Sequence, residues 1–212
     1  MNETERALEK RDQKDGRLFS PSANRNKAVI TGLLSDYLPA KASILEIASG
    51  TGEHGVEVLK SRPDVNWQFS DIDEAARKSQ SAWIEHTDYN LPQPLSLDVT
   101  STIWTQNLQT FDAIFCANMI HIAPLEALLG IAAGAADILK PEGMIFLYGP
   151  FLEGDKTAPS NLKFDQTLKN RNSAWGVREL DFVKHIFAKH GFNKVDRNEM
   201  PKNNLFLALT RK

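Results

Sequence analysis

A buried strand that runs directly into a glycine turn constrains the fold of this chain more than any other feature. Ser43–Ile47 is an apolar segment of strand type, and Gly50 and Gly52 follow it before a helical pattern begins. Glycine lets the backbone approach a ligand closely, and the amides at the start of a helix suit a polar or anionic group. The segment therefore predicts a strand, a ligand-binding turn and a helix.

Strand-type and helix-type segments alternate through the rest of the chain, which predicts a mainly parallel sheet covered by helices on both faces. The later strands are predicted at 66–70, 95–97, 111–116, 144–148, 192–195 and 205–210. Helices are predicted at 22–37, from about 52, and at 73–86, 103–108, 124–139 and 177–190. The last two strands are joined by a link too short for a crossover helix, so they must be antiparallel. The fold class is α/β: a Rossmann-like, doubly wound, seven-stranded sheet with an antiparallel last strand.

The chain length fits one α/β domain better than two. Residues 1–21 are expected to form a flexible N-terminal segment ahead of a single domain over 22–212. Residues 150–176 are polar and irregular, and so long a stretch in a compact domain predicts a lid-like insertion or hidden structure. Ser22 is the predicted cap of the first helix, and Ser160 that of a short helix within the insertion.

Composition disfavours several kinds of partner. The formal net charge of -2 and the pI of about 6.2 argue against a general nucleic-acid binder. Six basic residues near the start are diluted by acidic ones, so we interpret them as solvated: Lys10, Arg11, Lys14, Arg17, Arg25 and Lys27. The single cysteine, Cys116, leaves no disulfide or cysteine-rich zinc site. No apolar run approaches the roughly 20 residues of a membrane span, and a cytoplasmic protein is predicted.

The glycine pattern by itself leaves two kinds of cofactor open. Gly50-x-Gly52-x-x-Gly55 matches the dinucleotide fingerprint, so a NAD(P)-binding oxidoreductase is an alternative. Glu46, however, lies at the strand end, where a carboxylate can hold loop amides and a cationic ligand. Ala48 and Ser49 also add length between the strand and the first glycine. These two features favour a cofactor other than a dinucleotide.

A second carboxylate follows the next strand along the chain. Asp71 comes at the end of this strand, where a doubly wound sheet places a carboxylate beside a ribose. A vicinal diol can donate two hydrogen bonds to one carboxylate, and charge assistance strengthens them. Asp73 is the predicted cap of the following helix, which leaves Asp71 for the ribose.

Taken in order, these motifs resemble those of class I S-adenosylmethionine-dependent methyltransferases. Glu46–Gly52 resembles their first motif, Asp112–Asn118 their fourth-strand motif, and Leu139–Gly143 their helix stop before the fifth strand. The resemblance covers residues 25–212. More narrowly, several strings look like a small methyltransferase-like family of undefined substrate: Arg25-Asn26, Glu46–His54, Asn118–Ile122, Tyr148–Pro150 and Asn170–Asn172.

The resemblance implies that S-adenosylmethionine is the cofactor and binds at the C-terminal edge of the sheet. It implies that Asp98 meets the adenine amino group while Val99 offers a backbone amide; a plain turn aspartate is the alternative. Arg25 begins the first helix and can grip a carboxylate of the donor or acceptor, or be a surface charge. The predicted cofactor-binding residues are Arg25, Glu46, Ala48, Ser49, Gly50, Gly52, Asp71, Ile72, Asp98, Val99, Asn118 and Met119.

Methyl transfer from a sulfonium is an in-line displacement, which requires proximity, alignment and exclusion of water, and no metal. Residues after the fourth and fifth strands should face the acceptor, so His121 and Tyr148 are the predicted catalytic residues. His121 is a candidate general base, and orientation of a loop is its alternative role.

The acceptor is expected to be a small molecule, because no Asn-Pro-Pro-Tyr type motif follows the fourth strand. Its predicted contacts are Asn26, His121, Tyr148, Asn161, Arg171 and Trp175. Trp175 has a core position as its alternative. A non-catalytic module that binds S-adenosylmethionine is the second alternative function.

Overall fold

The computed structural model of the chain describes residues 9–211, and seven of its strands form one mixed sheet. The sheet is mainly parallel and ends in antiparallel strands, which confirms the predicted fold class. The chain divides into two compact units, with the boundary between Asp98 and Val99. None of the helices described within residues 9–211 has the length and apolar character that a bilayer crossing requires.

The first unit combines a small antiparallel hairpin with three parallel strands of the sheet. Its elements are β1 (Asp12–Lys14), β2 (Arg17–Phe19), α1 (Pro21–Tyr37), β3 (Ser43–Ile47), α2 (Glu53–Ser61), β4 (Asn66–Asp71), α3 (Glu74–Glu85) and β5 (Leu95–Ser96). The sheet strands run in the order β5-β4-β3, so β4 is flanked on both sides. Strands β1 and β2 pair only with each other in this unit.

The second unit contains the antiparallel end of the sheet, with strand order β6-β7-β9-β8. Its elements are β6 (Phe111–Ala117), α4 (Leu125–Ile138), β7 (Leu139–Pro150), α5 (Pro159–Arg171), α6 (Leu180–Ala188), β8 (Lys194–Met200) and β9 (Asn204–Thr210). A 3-10 turn, Met119–His121, follows β6, and another, Pro201–Asn203, joins β8 to β9. Strands β8 and β9 are antiparallel, as the short link predicted.

The N-terminal segment differs from the flexible region predicted over 1–21. Residues 12–19 form a hairpin whose two-residue turn, Asp15-Gly16, has positive φ values of 49° and 78°. An Asp-Gly pair suits this type of turn because glycine has no steric cost at positive φ. Ser20, rather than Ser22, caps α1: its hydroxyl accepts the Ala23 amide at 3.1 Å. Residues 1–8 lie outside the described residues.

The segment predicted as a lid-like insertion, 150–176, contains the hidden structure that was its alternative. About half of it is α5, whose N-cap is Ala158 rather than Ser160. The helix predicted at 177–190 is shorter, Leu180–Ala188. Residues 103–108 form turns instead of a helix. The lid role and the single domain over 22–212 stay predictions.

Close packing of α2 on β4 depends on Gly55. Trp67 and Phe69 of β4 are fully buried, as expected for a strand covered on both faces. A Cβ on Gly55 would lie 2.5 Å from Cε1 of Phe69 and also overlap Trp67. The third glycine of the fingerprint therefore serves helix–strand packing.

We expect Gly55→Ala to reduce the free energy of unfolding by about 1–3 kcal/mol, because the added methyl forces buried rings to move. Gly32→Ala in α1 is the matched control, since a Cβ there meets nothing within 4 Å. The control should be neutral or stabilising by about 0.5–1 kcal/mol. Urea denaturation measures both; equal effects of the two variants would contradict the packing role.

Candidate functional site

The turn between β3 and α2 has the conformation that the glycine pattern predicted. Ala48, Gly50 and Gly52 have φ values of 54°, 56° and 89°. A Cβ on Gly52 would lie 3.3 Å from Gln80 and from Trp83 of α3. Glycine at 52 is therefore required both by the left-handed backbone and by the approach of α3.

The carboxylate of Asp71 holds this turn against the end of β4. Oδ2 accepts the Gly50 amide and Oδ1 accepts the Asp73 amide, both at 2.9 Å. Burial raises the pKa of Asp71, and these two hydrogen bonds oppose the rise. Each oxygen retains a lone pair that can accept a further hydrogen bond. Asp73 caps α3 through the Ala75 amide at 2.9 Å, as predicted.

The loop amides expected to be free for a ligand are partly used within the turn. The Gly52 amide donates to the Ser49 carbonyl at 3.0 Å, and the Ser49 amide donates to the Ser70 carbonyl at 2.8 Å. The Ser49 hydroxyl accepts the Ser70 amide at 3.1 Å. Since Gly50 donates to the carboxylate of β4, the turn satisfies these donors internally. The amides of Ser49, Gly50 and Gly52 are therefore not free for a ligand, and the expectation of free amides at the helix start concerns the residues that follow them.

Two polar residues of α3 also hold the turn, and neither was among the predicted site residues. Gln80 Nε2 donates to the Gly50 carbonyl at 3.0 Å, and the Ser79 hydroxyl donates to the Thr51 carbonyl at 2.8 Å. Both side chains are fully buried. The sequence could have revealed them, because they are polar residues on the buried face of α3, whose other buried residues are Ala76 and Ile84.

Glu46 lies beneath the turn instead of at its surface. Its Oε2 accepts the indole N–H of Trp67 at 3.0 Å, and its Oε1 lies 3.8 Å from Nδ1 of His54. Burial raises the pKa of Glu46 to about 8. The side chain is 1% exposed, and the Ser49 hydroxyl of the turn acts on it in addition to these two rings. Its described contacts are therefore side chains rather than the predicted loop amides.

Asn26 is paired with His54. Its Oδ1 lies 2.9 Å from Nε2 of the imidazole. Burial, with a contribution from the nearby Lys27, lowers the pKa of His54 to about 4. With His54 neutral and the carboxyl of Glu46 protonated, their 3.8 Å approach is not an ion pair at neutral pH. Asn26 therefore supports α1 on α2, and Arg25 beside it is exposed.

The carboxyl ends of β4 and β5 bring three predicted cofactor residues to one edge. Ser96 pairs with Asp71, and Asp98 follows two residues later as an exposed side chain. Ile72 comes directly after β4 and is 50% exposed, unusual for a large apolar residue. The first unit thus contains the Gly50–Gly52 turn together with three predicted cofactor residues at the ends of β4 and β5: Asp71, Ile72 and Asp98.

In the second unit, His121 is buried and neutral. Its Nδ1 accepts the Arg178 amide at 3.2 Å, and Nε2 is buried without a hydrogen-bond partner among residues 9–211. Burial, aided by the charge of Arg178, lowers the pKa of His121 to about 3. An imidazole that accepts at Nδ1 carries its proton on Nε2. This arrangement makes His121 a hydrogen-bond donor, unlike the predicted general base.

Asn118 and Gly149 approach His121. A Cβ on Gly149 would lie 2.7 Å from Nε2 of His121 and 3.3 Å from Oδ1 of Asn118. Asn118 has a φ of 62°, and its amide donates to the Tyr148 carbonyl at 2.7 Å. The phenol oxygen of Tyr148 accepts from Asn204 at 2.9 Å, and the side chain is buried. A catalytic role for Tyr148 stays a prediction.

The remaining predicted residues of the second unit are divided between core and surface. Asn161 is buried and donates to the carbonyls of Phe151 and Asn203 at 3.1 and 2.9 Å. Val99 and Trp175 are buried, which for Trp175 agrees with the core alternative. Met119, partly exposed, begins the 3-10 turn, and Arg171 is exposed at the end of α5. A shared substrate pocket for the predicted residues stays a prediction.

A family model described as "Protein of unknown function (DUF938)" matches residues 17–211. The chain belongs to this family. The match begins at the start of β2 and ends one residue after β9. It agrees with the narrower resemblance to a methyltransferase-like family without a defined substrate.

Solved methyltransferases share the fold of this DUF938 member. An O-methyltransferase family protein from Burkholderia thailandensis is 14% identical with a TM-score of 0.75. Human N-acetylserotonin methyltransferase in complex with SAM is 13% identical with a TM-score of 0.71, and PigF with SAH is 15% identical with a TM-score of 0.73. Each match covers 90% of this chain and 57%, 52% and 56% of the respective structures, so the chain spans little over half their length. At these identities, the likeness shows the fold.

The carboxyl of Glu46 should make stability fall as pH rises. Its pKa is about 8 in the folded chain and 4.5 ordinarily, so unfolding releases its proton between these values. The contribution to the free energy of unfolding is complete below pH 4.5. Between pH 4.5 and 8 it falls by about 1 kcal/mol per pH unit, and it is lost above pH 8. Glu46→Gln, which stays neutral, should lack this loss. Urea denaturation from pH 6.5 to 8 tests the difference, and parallel curves would contradict it.

The ring carbons of His121 should show no titration in NMR spectra between pH 5 and 8, because its pKa is about 3. The nitrogen-15 chemical shifts of the imidazole ring should show that the proton is on Nε2, since Nδ1 accepts the Arg178 amide. A titration within this window, or a proton on Nδ1, would restore the general-base interpretation.

Proposed function

We propose that the chain binds S-adenosylmethionine in its first unit and transfers the methyl group to a small-molecule acceptor. The observation that carries the proposal is the Asp71 carboxylate, held by the Gly50 and Asp73 amides at the end of β4. Its two oxygens, each with a lone pair left, suit the two hydroxyls of a ribose. The fold shared with solved methyltransferases supports the same general kind of protein.

The neighbouring residues suit an adenine. Ile72 offers an exposed apolar surface directly after Asp71, and apolar surface stabilises a flat ring by burial. Asp98, at the end of the adjacent strand, is an exposed carboxylate that can accept from an amino group. A ribose acceptor, an apolar surface and a second carboxylate together fit an adenosine.

The start of α2 argues against a dinucleotide. A pyrophosphate needs free amides and no negative charge at the helix N-terminus. Glu53, the first residue of α2, is buried there, and its Oε2 accepts from the Ser20 amide at 2.7 Å and from the Thr51 hydroxyl at 3.0 Å. Lys27 Nζ lies 3.5 Å from Oε1 and offsets part of this charge, but the helix start still carries a carboxylate that disfavours a bound phosphate and tolerates a cationic donor. Two proteins that share the fold are solved with SAM and with SAH, which supports the same choice.

The reaction that follows from such a donor is a displacement at carbon. A lone pair of the acceptor forms the bond to the methyl carbon, the carbon–sulfur bond breaks, and its electrons become a sulfur lone pair of S-adenosylhomocysteine. The protein contributes position and exclusion of water. We assign His121 no proton removal, because its accepting nitrogen already binds the Arg178 amide.

The main test is calorimetry with S-adenosylmethionine. Asp71→Asn should weaken binding about 10- to 100-fold, because a neutral amide cannot accept two charge-assisted hydrogen bonds from the ribose. Asp88→Asn, an exposed aspartate of the same unit, is the matched control and should change nothing.

Three outcomes separate the candidate functions. Binding of a nicotinamide dinucleotide without binding of S-adenosylmethionine would favour the oxidoreductase. Donor binding with no gain of one methyl mass in any compound of a cell extract would favour a non-catalytic module. Unchanged donor affinity in Asp71→Asn would remove this carboxylate from the site.

A further inference from the structure

We infer that Arg11 binds the carboxylate of the donor, so that the N-terminal hairpin forms one wall of the donor site. The inference rests on the proposed function. It assigns a site role to a residue that the sequence analysis interpreted as part of a solvated charged segment.

The hairpin is fixed to the same helix that holds the glycine turn. The Leu18 amide of β2 donates to the Ser79 hydroxyl at 2.8 Å, and this hydroxyl donates in turn to the Thr51 carbonyl at 2.8 Å. The guanidinium of Arg17, whose side chain is 8% exposed, lies 4.8 Å from the ring centroid of Trp83. One serine thus joins the hairpin to the turn.

Both ends of the hairpin are also held. After β2, the Ser20 amide donates to the carboxylate of Glu53 at 2.7 Å. Before β1, the carboxylate of Glu9 accepts the Ser22 amide at 3.0 Å and the Ser20 hydroxyl. The segment from 9 to 20 therefore has a defined position beside the start of α2.

Arg11 lies at the point where this segment meets the turn. Its Nη2 is 3.8 Å from the position that a Cβ on Gly50 would occupy, and its charge acts on the carboxylate of Asp71. Within residues 9–211, Arg11 forms no ion pair, and its buried Nε has no hydrogen-bond partner. Its Nη2 beside the turn is a charged donor with no anionic partner there among the described residues, which points to a ligand that supplies one.

The chemistry of the donor identifies that acceptor. S-adenosylmethionine carries a sulfonium and an ammonium, both of which repel a guanidinium, and a single anionic group, its carboxylate. A guanidinium binds a carboxylate with two parallel hydrogen bonds. Arg25, which the sequence predicted for this task, is exposed on α1, and its charge acts on Glu9. Arg11 is therefore the better placed of the two arginines.

The test compares ligands with and without the carboxylate. Arg11→Met should weaken binding of S-adenosylmethionine and S-adenosylhomocysteine about 10- to 100-fold and leave binding of 5′-methylthioadenosine, which lacks the carboxylate, unchanged. Lys14→Met, an exposed cation of the same hairpin, is the matched control and should alter none of the three affinities. Asp71→Asn should weaken all three.

Each contrary result has a distinct meaning. If the wild-type chain binds S-adenosylmethionine and Arg11→Met binds it within about twofold as well, Arg11 does not hold the carboxylate. If Arg11→Met weakens 5′-methylthioadenosine equally, the residue only supports the hairpin, and the inference is again wrong. If the wild-type chain binds none of the three ligands, the proposed function itself fails.

Discussion

The hydrogen bond from the Gly50 amide to the Asp71 carboxylate is the interaction on which the candidate site depends. It joins the turn after β3 to the end of β4, two segments that parallel pairing alone leaves separate beyond Glu46 and Phe69. Helix α3 completes the arrangement through Gln80 and its neighbour. The site therefore depends on how the end of β4 and helix α3 satisfy the polar groups of the tight turn after β3.

Much of this arrangement could be predicted because it depends on local sequence patterns. The strands, the glycine turn, the cap at Asp73 and the antiparallel last pair each depend on residues close together in the chain. Even the hairpin had a local signal, Asp15-Gly16, which the surrounding charges obscured. Its inward arginine, Arg17, looked like solvated charge because a sequence does not show which aromatic ring a cation meets.

The contacts that could not be predicted join distant positions and involve protonation. Glu46 was predicted to hold loop amides and a cationic ligand, yet burial favours its neutral form, and burial likewise favours the neutral form of His54. His121 had the right type and position for a base. Its ring proton is decided by the amide of Arg178, which no pattern around residue 121 reveals.

The carboxylate of Glu53 at the start of α2 has a wider consequence. Many metabolites share adenine and ribose with the proposed donor, so recognition of those parts alone would admit phosphorylated nucleosides as readily. The carboxylate of Glu53, which is buried and paired with Lys27, lies at the start of α2 where phosphates normally dock, and it disfavours their binding. Selectivity against the energy-carrying nucleotides would then arise from electrostatic repulsion, without any need for a tighter pocket.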